Sequence, residues 1–354
     1  MADFHFIDRL TQTYIDKGYF PSAVVSVFDS PKTLYRKAYG DNPAQGGKGR
    51  AKVDTYTAYD MASCTKIATA TQILDLIDRG KLSLDTKIPD ILTDIRSHKD
   101  LYSRTRVVTI EQLLTHTSGI RDWYPFYTQQ GVDFYDVFES FIGKRPPETQ
   151  MVYSDMNFML LGKAVETIKD KELKDCQEDL KKALGASRMD FRPQDFENTA
   201  PSCYGNEIEE GMVKDEGLTF DGWRDKTKPT WGVNDGNSHY FFNDTAGHAG
   251  IIADVDSYER LCRFYMTTDR PIFIEAQKPR VADRGLGFQT GPKLYPDGGC
   301  GHTGFSGTWF WMSRRDDLGV VALTNRLAYP HSNPNSTSDF RHELAYAVFD
   351  ALKG

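Results

Sequence analysis

The stretch Tyr59-Asp60-Met61-Ala62-Ser63-Cys64-Thr65-Lys66 opens a helical pattern in which Ile67–Leu76 continues to Gly80. Ser63 and Lys66 form S-x-x-K at that helix start. An i, i+3 spacing places the hydroxyl and the ammonium stem on one face, within hydrogen-bond reach. Serine is a poor nucleophile until a neighbouring base takes its proton, and a desolvated lysine near other cations can be that base. A helix N-terminus also directs backbone N–H groups and positive potential at an oxyanion forming on Ser63. Taken alone, the spacing reads more readily as an N-cap serine beside a solvated lysine, because both residues are common.

Outward from this segment, apolar positions at helical spacing span residues 4–18 and end at Gly18. Two strand-like runs follow, Ser22–Phe28 and Thr33–Tyr39, separated by the turn Asp29-Ser30-Pro31-Lys32. Asp41–Lys52 is Gly-rich and polar and reads as a loop. Its Gly46-Gly47-Lys48-Gly49 is no phosphate loop, since no glycine sits five positions before Gly47 and no Ser or Thr follows Lys48. Past Ser63 the pattern stays mostly helical to about Leu184, with Thr109–Thr115 short and Asp155–Ile168 and Glu172–Leu184 amphipathic. Gln194–Asn243 is polar and turn-rich. Strand character returns at Gly285–Thr290, Thr308–Ser313 and Gly319–Thr324, and a helix over roughly Ser338–Leu352 closes the chain. Strands at both ends with helices between them predict an α/β (α+β) fold: one sheet built from both ends and an inserted helical lobe. The expected division is residues 1–60 and 245–354 for the sheet lobe and 61–244 for the helical lobe with its rim loops.

The chain of 354 residues exceeds the size at which a single core usually stops growing, which suits two unequal lobes. With 39% hydrophobic and 26% charged residues it is not a disordered chain. A net charge of −7 argues against nucleic acid or an anionic membrane as the main partner. Mean hydropathy is −0.53, and no uninterrupted apolar run reaches spanning length. Five scattered cysteines, odd in number and without a C-x-x-C pair, argue against a disulfide framework or a structural zinc site. Met1–Arg9 has neither a basic n-region nor an apolar h-region, so the expected location is the cytoplasm.

Two further segments add to S-x-x-K. One is Val152-Tyr153-Ser154-Asp155-Met156-Asn157, and the other is Gly301-His302-Thr303-Gly304-Phe305-Ser306-Gly307-Thr308. The serine β-lactamases and penicillin-binding proteins combine S-x-x-K with S-D-N and K-T-G elements. Through Tyr153-Ser154-Asp155 and His302-Thr303-Gly304 the chain resembles the serine β-lactamase-like superfamily, on the side of class C β-lactamases, family VIII esterases and DD-peptidases. Leu113-Leu114-Thr115-His116-Thr117-Ser118-Gly119-Ile120 and Ala246-Gly247-His248-Ala249-Gly250-Ile251 support the match, which covers roughly residues 20–350.

The resemblance implies an antiparallel sheet flanked by helices with the active site in the cleft beside the helical lobe. It implies Ser63 as the acylated nucleophile, with Lys66 and Tyr153 as candidate bases that titrate jointly. A phenol serves as base at neutral pH only if neighbouring cations stabilise its anion. Asp155 stands where many relatives carry asparagine; its carboxylate can hold the Lys66 ammonium but makes that lysine a weaker base. His302 replaces a more common lysine, which in relatives helps bind a substrate carboxylate; a protonated imidazole could do the same. Thr303 and Gly304 would line the substrate-bearing strand edge, and the N–H groups of Ser63 and Phe305 would form the oxyanion hole.

Other constellations are weaker. There is no G-x-S-x-G and no H-E-x-x-H. The run Asn234…His239…Asp244…His248 could imitate a metal site, but its spacing fits no zinc pattern and a rim or scaffold role is expected. Cys64 reads as a buried small residue. Asp122-Trp123-Tyr124-Pro125-Phe126-Tyr127 reads equally as a substrate-facing wall or as loop packing. The expected function is two-step acyl transfer without cofactor or metal, an esterase or amidase acting on a small ester or peptide-like amide. A D-amino-acid peptide or a β-lactam remains open as substrate, so a DD-peptidase or β-lactamase is the alternative. An acyltransferase and a non-catalytic sensor acylated by penicillin are further ones.

Overall fold

Ser22–Phe28 (β1) reads SAVVSVF, and every residue of it is buried. A strand apolar on both sides must lie inside a sheet covered on both faces. The computed structural model, which describes residues 4–44, 49–144, 150–192, 198–291, 295–330 and 335–353, has that arrangement. The other strands are β2 (Thr33–Pro43), β3 (Arg50–Lys52), β4 (Tyr59–Asp60), β5 (Met189–Phe191), β6 (Ile251–Ala253), β7 (Gln289–Thr290), β8 (Cys300–Thr303), β9 (Trp309–Ser313) and β10 (Leu318–Thr324). Seven of them form one antiparallel sheet in the order β3-β2-β1-β10-β9-β8-β7, with β1 and β10 paired through Val25↔Ala322. A small sheet, β4-β6-β5, lies apart from it.

The helices are α1 (His5–Asp16), α2 (Thr65–Asp78), α3 (Ile88–Ile91), α4 (Lys99–Thr105), α5 (Ile110–Leu114), α6 (Phe134–Ile142), α7 (Asp155–Lys169), α8 (Leu173–Leu184), α9 (Glu207–Asp215), α10 (Val255–Thr267), α11 (Pro271–Ala276) and α12 (Ser338–Lys353). The two-residue period of a strand sorts the sheet's side chains between two cores. Ala23, Val25 and Val27 share one core with Trp309, Trp311, Val320 and the α1/α12 residues Ile7, Tyr14, Phe340 and Leu344. Val24, Phe28, Phe310, Met312, Val321 and Leu323 point to the other face. That second core runs without a break from the sheet through α10 and α2 into Phe138 of α6 and Leu160 of α7. The helical region is therefore joined to the sheet by a common core.

Both chain ends supply the large sheet, as the pattern of runs predicts. Four details differ. The loop expected over 41–52 is partly a hairpin, because β2 extends to Pro43 and pairs with β3; Gly46, Gly47 and Lys48 lie outside the described residues. The strand expected at Gly285–Thr290 shrinks to its last two residues. β8, Cys-Gly-His-Thr, has no β-branched apolar residue to announce it, and small residues are required there: a Cβ on Gly301 would collide with Phe310 O of β9. Within the polar 194–243 region lies α9.

Phe310 closes the core between sheet and α10, packing on Tyr258 at 5.8 Å and Phe288 at 6.4 Å between ring centroids. Phe310→Ala should lower the free energy of unfolding by about 3–5 kcal/mol, the usual range for a buried Phe, as read from urea denaturation.

Candidate active site

Three loops converge on the N-terminus of α2. The first precedes it: β4 ends at Asp60, a single 3₁₀ turn spans Ala62–Cys64, and Ala62 takes φ +45°. That left-handed conformation is costly for alanine. Asp60 holds it, accepting from Ala62 N at 2.9 Å through Oδ1 and from Asn234 N at 2.8 Å through Oδ2. Burial pushes the Asp60 carboxyl up to about 6. Ser306 Oγ donates to Asp60 O at 2.7 Å and Thr308 Oγ1 to Met61 O at 3.1 Å, fixing the turn to the β8–β9 connection.

One turn on, Lys66 is fully buried, and its Nζ donates to three groups: Ser63 Oγ at 3.0 Å, Asp155 Oδ1 at 2.7 Å and His248 O at 3.0 Å. An ammonium has three donors, and all three are used. Burial alone would lower the Lys66 pKa, but the Asp155 carboxylate and Tyr153 outweigh it and raise the net value. Lys66 is thus a cation here.

The second loop carries Tyr153 and Asp155 and is pinned by residues 116–122. Ser154 N donates to His116 Nδ1 at 3.0 Å, Ser154 Oγ to Arg121 O at 2.6 Å, Val152 N to His116 O at 3.0 Å and Asp155 N to Asp122 O at 3.0 Å. Burial, with Arg284 and Lys66 adding, drives the His116 pKa well down, so the imidazole is neutral and its Nδ1 is an acceptor. Its ring lies 4.6 Å from the Tyr153 ring. Tyr153 has Lys66 Nζ 5.0 Å and the Arg284 guanidinium 5.1 Å from its ring centroid. Its hydroxyl is buried against Lys66 and Ser63 without a well-aligned hydrogen bond to either. Burial raises its pKa, Lys66 pulls it down and Asp155 pushes it up, for a net rise.

The third loop is the β8–β9 turn. Gly304 N donates to Thr308 O at 2.7 Å. A Cβ on Gly304 would collide with Thr308 Oγ1 and come within 2.8 Å of Met61 O, so only glycine closes this approach. Ser63, Tyr153, Thr303, Gly304 and Phe305 all line one cavity of about 370 Å³. His302 does not line it. It is buried, its Nδ1 lies 2.9 Å from Thr303 O, and burial together with Lys66 and Arg284 pushes its pKa well down. The imidazole expected to offer a substrate-binding cation is therefore a neutral core group behind Tyr153, its ring centroid 6.0 Å away.

The cations of the cavity are Arg284, Arg326 and Arg341, which no motif had singled out. Arg341 donates to Gly304 O at 2.7 Å and Thr308 O at 3.1 Å; burial lowers it to about 10, so it stays charged at neutral pH. Arg326 donates to Phe305 O at 2.7 Å and covers the Phe305 ring. Arg284 has Nε 3.3 Å from Asp283, and its Nη1 is buried without a hydrogen-bond partner among the described residues.

The remaining candidates fall into structural places. His248 Nε2 lies 2.9 Å from Asp235 and His239 Nδ1 2.6 Å from Asp244, two separate side-chain hydrogen bonds. Burial pushes the Cys64 thiol up to about 12, an inert group. Trp123, Tyr124, Phe126 and Tyr127 are buried, Tyr124 stacking on Phe141 at 4.0 Å, so the aromatic loop is packing. All five cysteines are free and buried. No helix among the described residues is long and apolar enough to cross a membrane.

A family model described as Beta-lactamase matches residues 7–343. The chain belongs to that family. It is 26% identical over 370 residues to an N-acetylmuramyl-L-alanine amidase of Bacillus subtilis (strain 168), covering 93% of this chain and 83% of the relative. It is also 26% identical to a protein of Escherichia coli (strain K12) described as "Putative D-alanyl-D-alanine carboxypeptidase", covering 93% of this chain and 84% of that one. Among solved structures, a class C beta lactamase from Rhodobacter sphaeroides superposes with TM-score 0.72 at 17% identity, covering 97% of this chain and 98% of that one. As a member of the Beta-lactamase family with such relatives, the protein is a serine hydrolase.

Two outcomes follow from the charges. Asp155 raises both Lys66 and Tyr153, so Asp155→Asn should lower both and move the basic limb of the kcat/KM–pH profile to lower pH. An unmoved limb would free Asp155 of that influence. Behind the site, burial and the nearby Asp235 carboxylate push Glu209 up to about 8, where it accepts from Gly236 N at 2.8 Å and Tyr127 Oη at 3.1 Å. The folded protein therefore holds a proton that the unfolded chain releases near the ordinary Glu value of about 4.3. Stability should fall as pH rises from there through about 8, and Glu209→Gln should flatten that fall in thermal unfolding.

Proposed function

We propose that the protein hydrolyses small peptide-like amides or esters carrying a free carboxylate, through an acyl-enzyme on Ser63. The observation that carries this reading is the cavity beside Ser63, which holds Arg284, Arg326 and Arg341 and no acidic side chain among its lining residues. A buried guanidinium with an idle N–H calls for an anion, and Arg meets a carboxylate with paired donors. The relatives' names, an amidase and a D-alanyl-D-alanine carboxypeptidase, support peptide substrates of this kind.

In this reading the Ser63 proton does not go to Lys66, whose three N–H bonds are committed and whose ammonium is locked to Asp155. Tyr153 is the group left to take it, acting through its minor phenolate form, whose burial cost Lys66 partly offsets. Ser63 Oγ then attacks the carbonyl carbon, and the N–H groups of Ser63 and Phe305 receive the oxyanion. Tyr153 returns the proton to the leaving amine or alcohol. Water enters by the same proton path and releases the acyl group. Thr303, with its hydroxyl accepting from Gln289 Nε2 at 3.1 Å, forms the edge along which the substrate lies.

A substrate panel tests this. A D-alanyl-D-alanine peptide should turn over at least tenfold better than its C-terminal amide, since a carboxylate–guanidinium contact contributes about 1.5–3 kcal/mol. Equal rates on the two would remove the carboxylate from the reading. Ser63→Ala should abolish both turnover and the covalent adduct seen by intact mass with a fluorescent penicillin. Tyr153→Phe should lose on the order of 10²–10⁴ in kcat, the usual share of a general base; near-full activity would return that role to Lys66.

A further inference from the structure

A second cavity, of about 500 Å³, lies away from Ser63 between the C-terminal halves of α2 and α7 and the helices α8, α10 and α11. It shares no lining residue with the cavity at Ser63. Leu76, Ile168, Leu180, Leu184, Phe264 and Phe273 give it apolar walls. Arg79, Lys81, Asp179 and Ala183 at its rim are exposed, so the cavity opens to solvent.

The charges at its edge are unbalanced. Arg79, Lys81, Lys169 and Arg270 line it with the carboxylates Asp75 and Asp179, and Asp78, beside the lining, also holds Arg270 at 2.7 Å. Asp75 is held by Arg79 and by Arg270, each at 2.7 Å, and Asp179 by Lys171 at 2.7 Å. Lys169 is partly buried and meets no carboxylate among the described residues; its Nζ donates to Gln72 Oε1 at 2.8 Å. Burial lowers its pKa, with Asp75 and Asp179 offsetting part of that from beyond ion-pair distance. Lys81, at the exposed rim, also has no carboxylate partner among the described residues.

We propose that this cavity binds a small apolar monocarboxylate, of the size of a medium-chain fatty acid, with its carboxylate on Lys169 and its tail against Leu76, Leu180 and Phe273. The cation excess selects an anion over an amine. A single partly buried ammonium selects one charge over two, because a second would be buried uncompensated. The volume is in the range of small-molecule sites.

Isothermal titration of the full chain bearing Ser63→Ala with sodium decanoate, below its aggregation concentration and at neutral pH, tests this without interference from turnover. Saturable one-site binding is expected. Lys169→Gln should weaken it about tenfold, the effect of losing one charge-assisted hydrogen bond. Ala183→Trp, from an exposed position in the lining, should block it, and unchanged thermal unfolding would show both variants folded. Decylamine, with a comparable tail and opposite charge, should bind at least tenfold more weakly than decanoate. Absence of saturable binding, equal affinity in both variants, or displacement of decanoate by a β-lactam would overturn the site. Tighter binding of decylphosphonate than of decanoate would overturn the choice of a monoanion.

Discussion

The arrangement around Ser63 depends on one buried charge. Lys66 has no access to solvent, and an isolated ammonium in such a place would cost several kcal/mol. The cost is offset chiefly by Asp155, with Tyr153 adding, and by two neutral acceptors, Ser63 Oγ and His248 O. These belong to three different parts of the chain: the start of α2, the start of α7 and the approach to β6. A requirement of electrostatics thereby becomes one of geometry. Removing one partner of a buried pair typically costs about 3–5 kcal/mol. The three segments cannot drift apart while the ammonium remains charged.

Neutral groups do the finer positioning. His116 holds the Tyr153 loop through its ring nitrogen and its backbone carbonyl, and being uncharged it adds no repulsion to a site already holding Lys66 and Arg284. Its own backbone sits at φ +60°, a strained conformation that keeps both acceptors aimed at one loop. Asp60 holds the Ala62 turn through both oxygens of its carboxyl group. Two non-glycine residues in the left-handed region, Ala62 beside Ser63 and His116 beside Tyr153, show where conformational strain is stored.

The parts of this protein legible in its sequence are those with a period or a motif. SAVVSVF announces a doubly covered strand, and α2, α7 and α8 follow from apolar spacing. Ser63, Lys66, Tyr153 and Gly304 were readable because several spaced elements agree, although each is weak alone. β8 was not readable, since glycine and cysteine dictated by close approach to β9 leave no strand signature. α10 was equally hidden: its polar face dominates, and Tyr258, Leu261, Cys262 and Tyr265 are buried by the sheet it lies on. The three arginines were invisible for a different reason. They reach the cavity from a loop before β7, the end of β10 and the first turns of α12, and only the fold brings those together.

The placement of those arginines explains how His302 can be neutral without leaving the site short of positive charge. Lys66 and Asp155 cancel each other, so neither contributes a net field to the opening. Burial, with Lys66 and Arg284 adding, pushes the His302 pKa well down. The positive field comes instead from guanidinium groups, which remain ionised where histidine cannot. In a chain of net charge −7 this makes the cavity a local inversion of sign. Field lines from three cations in a concave, partly desolvated wall are focused there, while the negative charge elsewhere is spread over screened surface. The acidic balance of the whole chain therefore does not set the sign of the potential at the cavity beside Ser63.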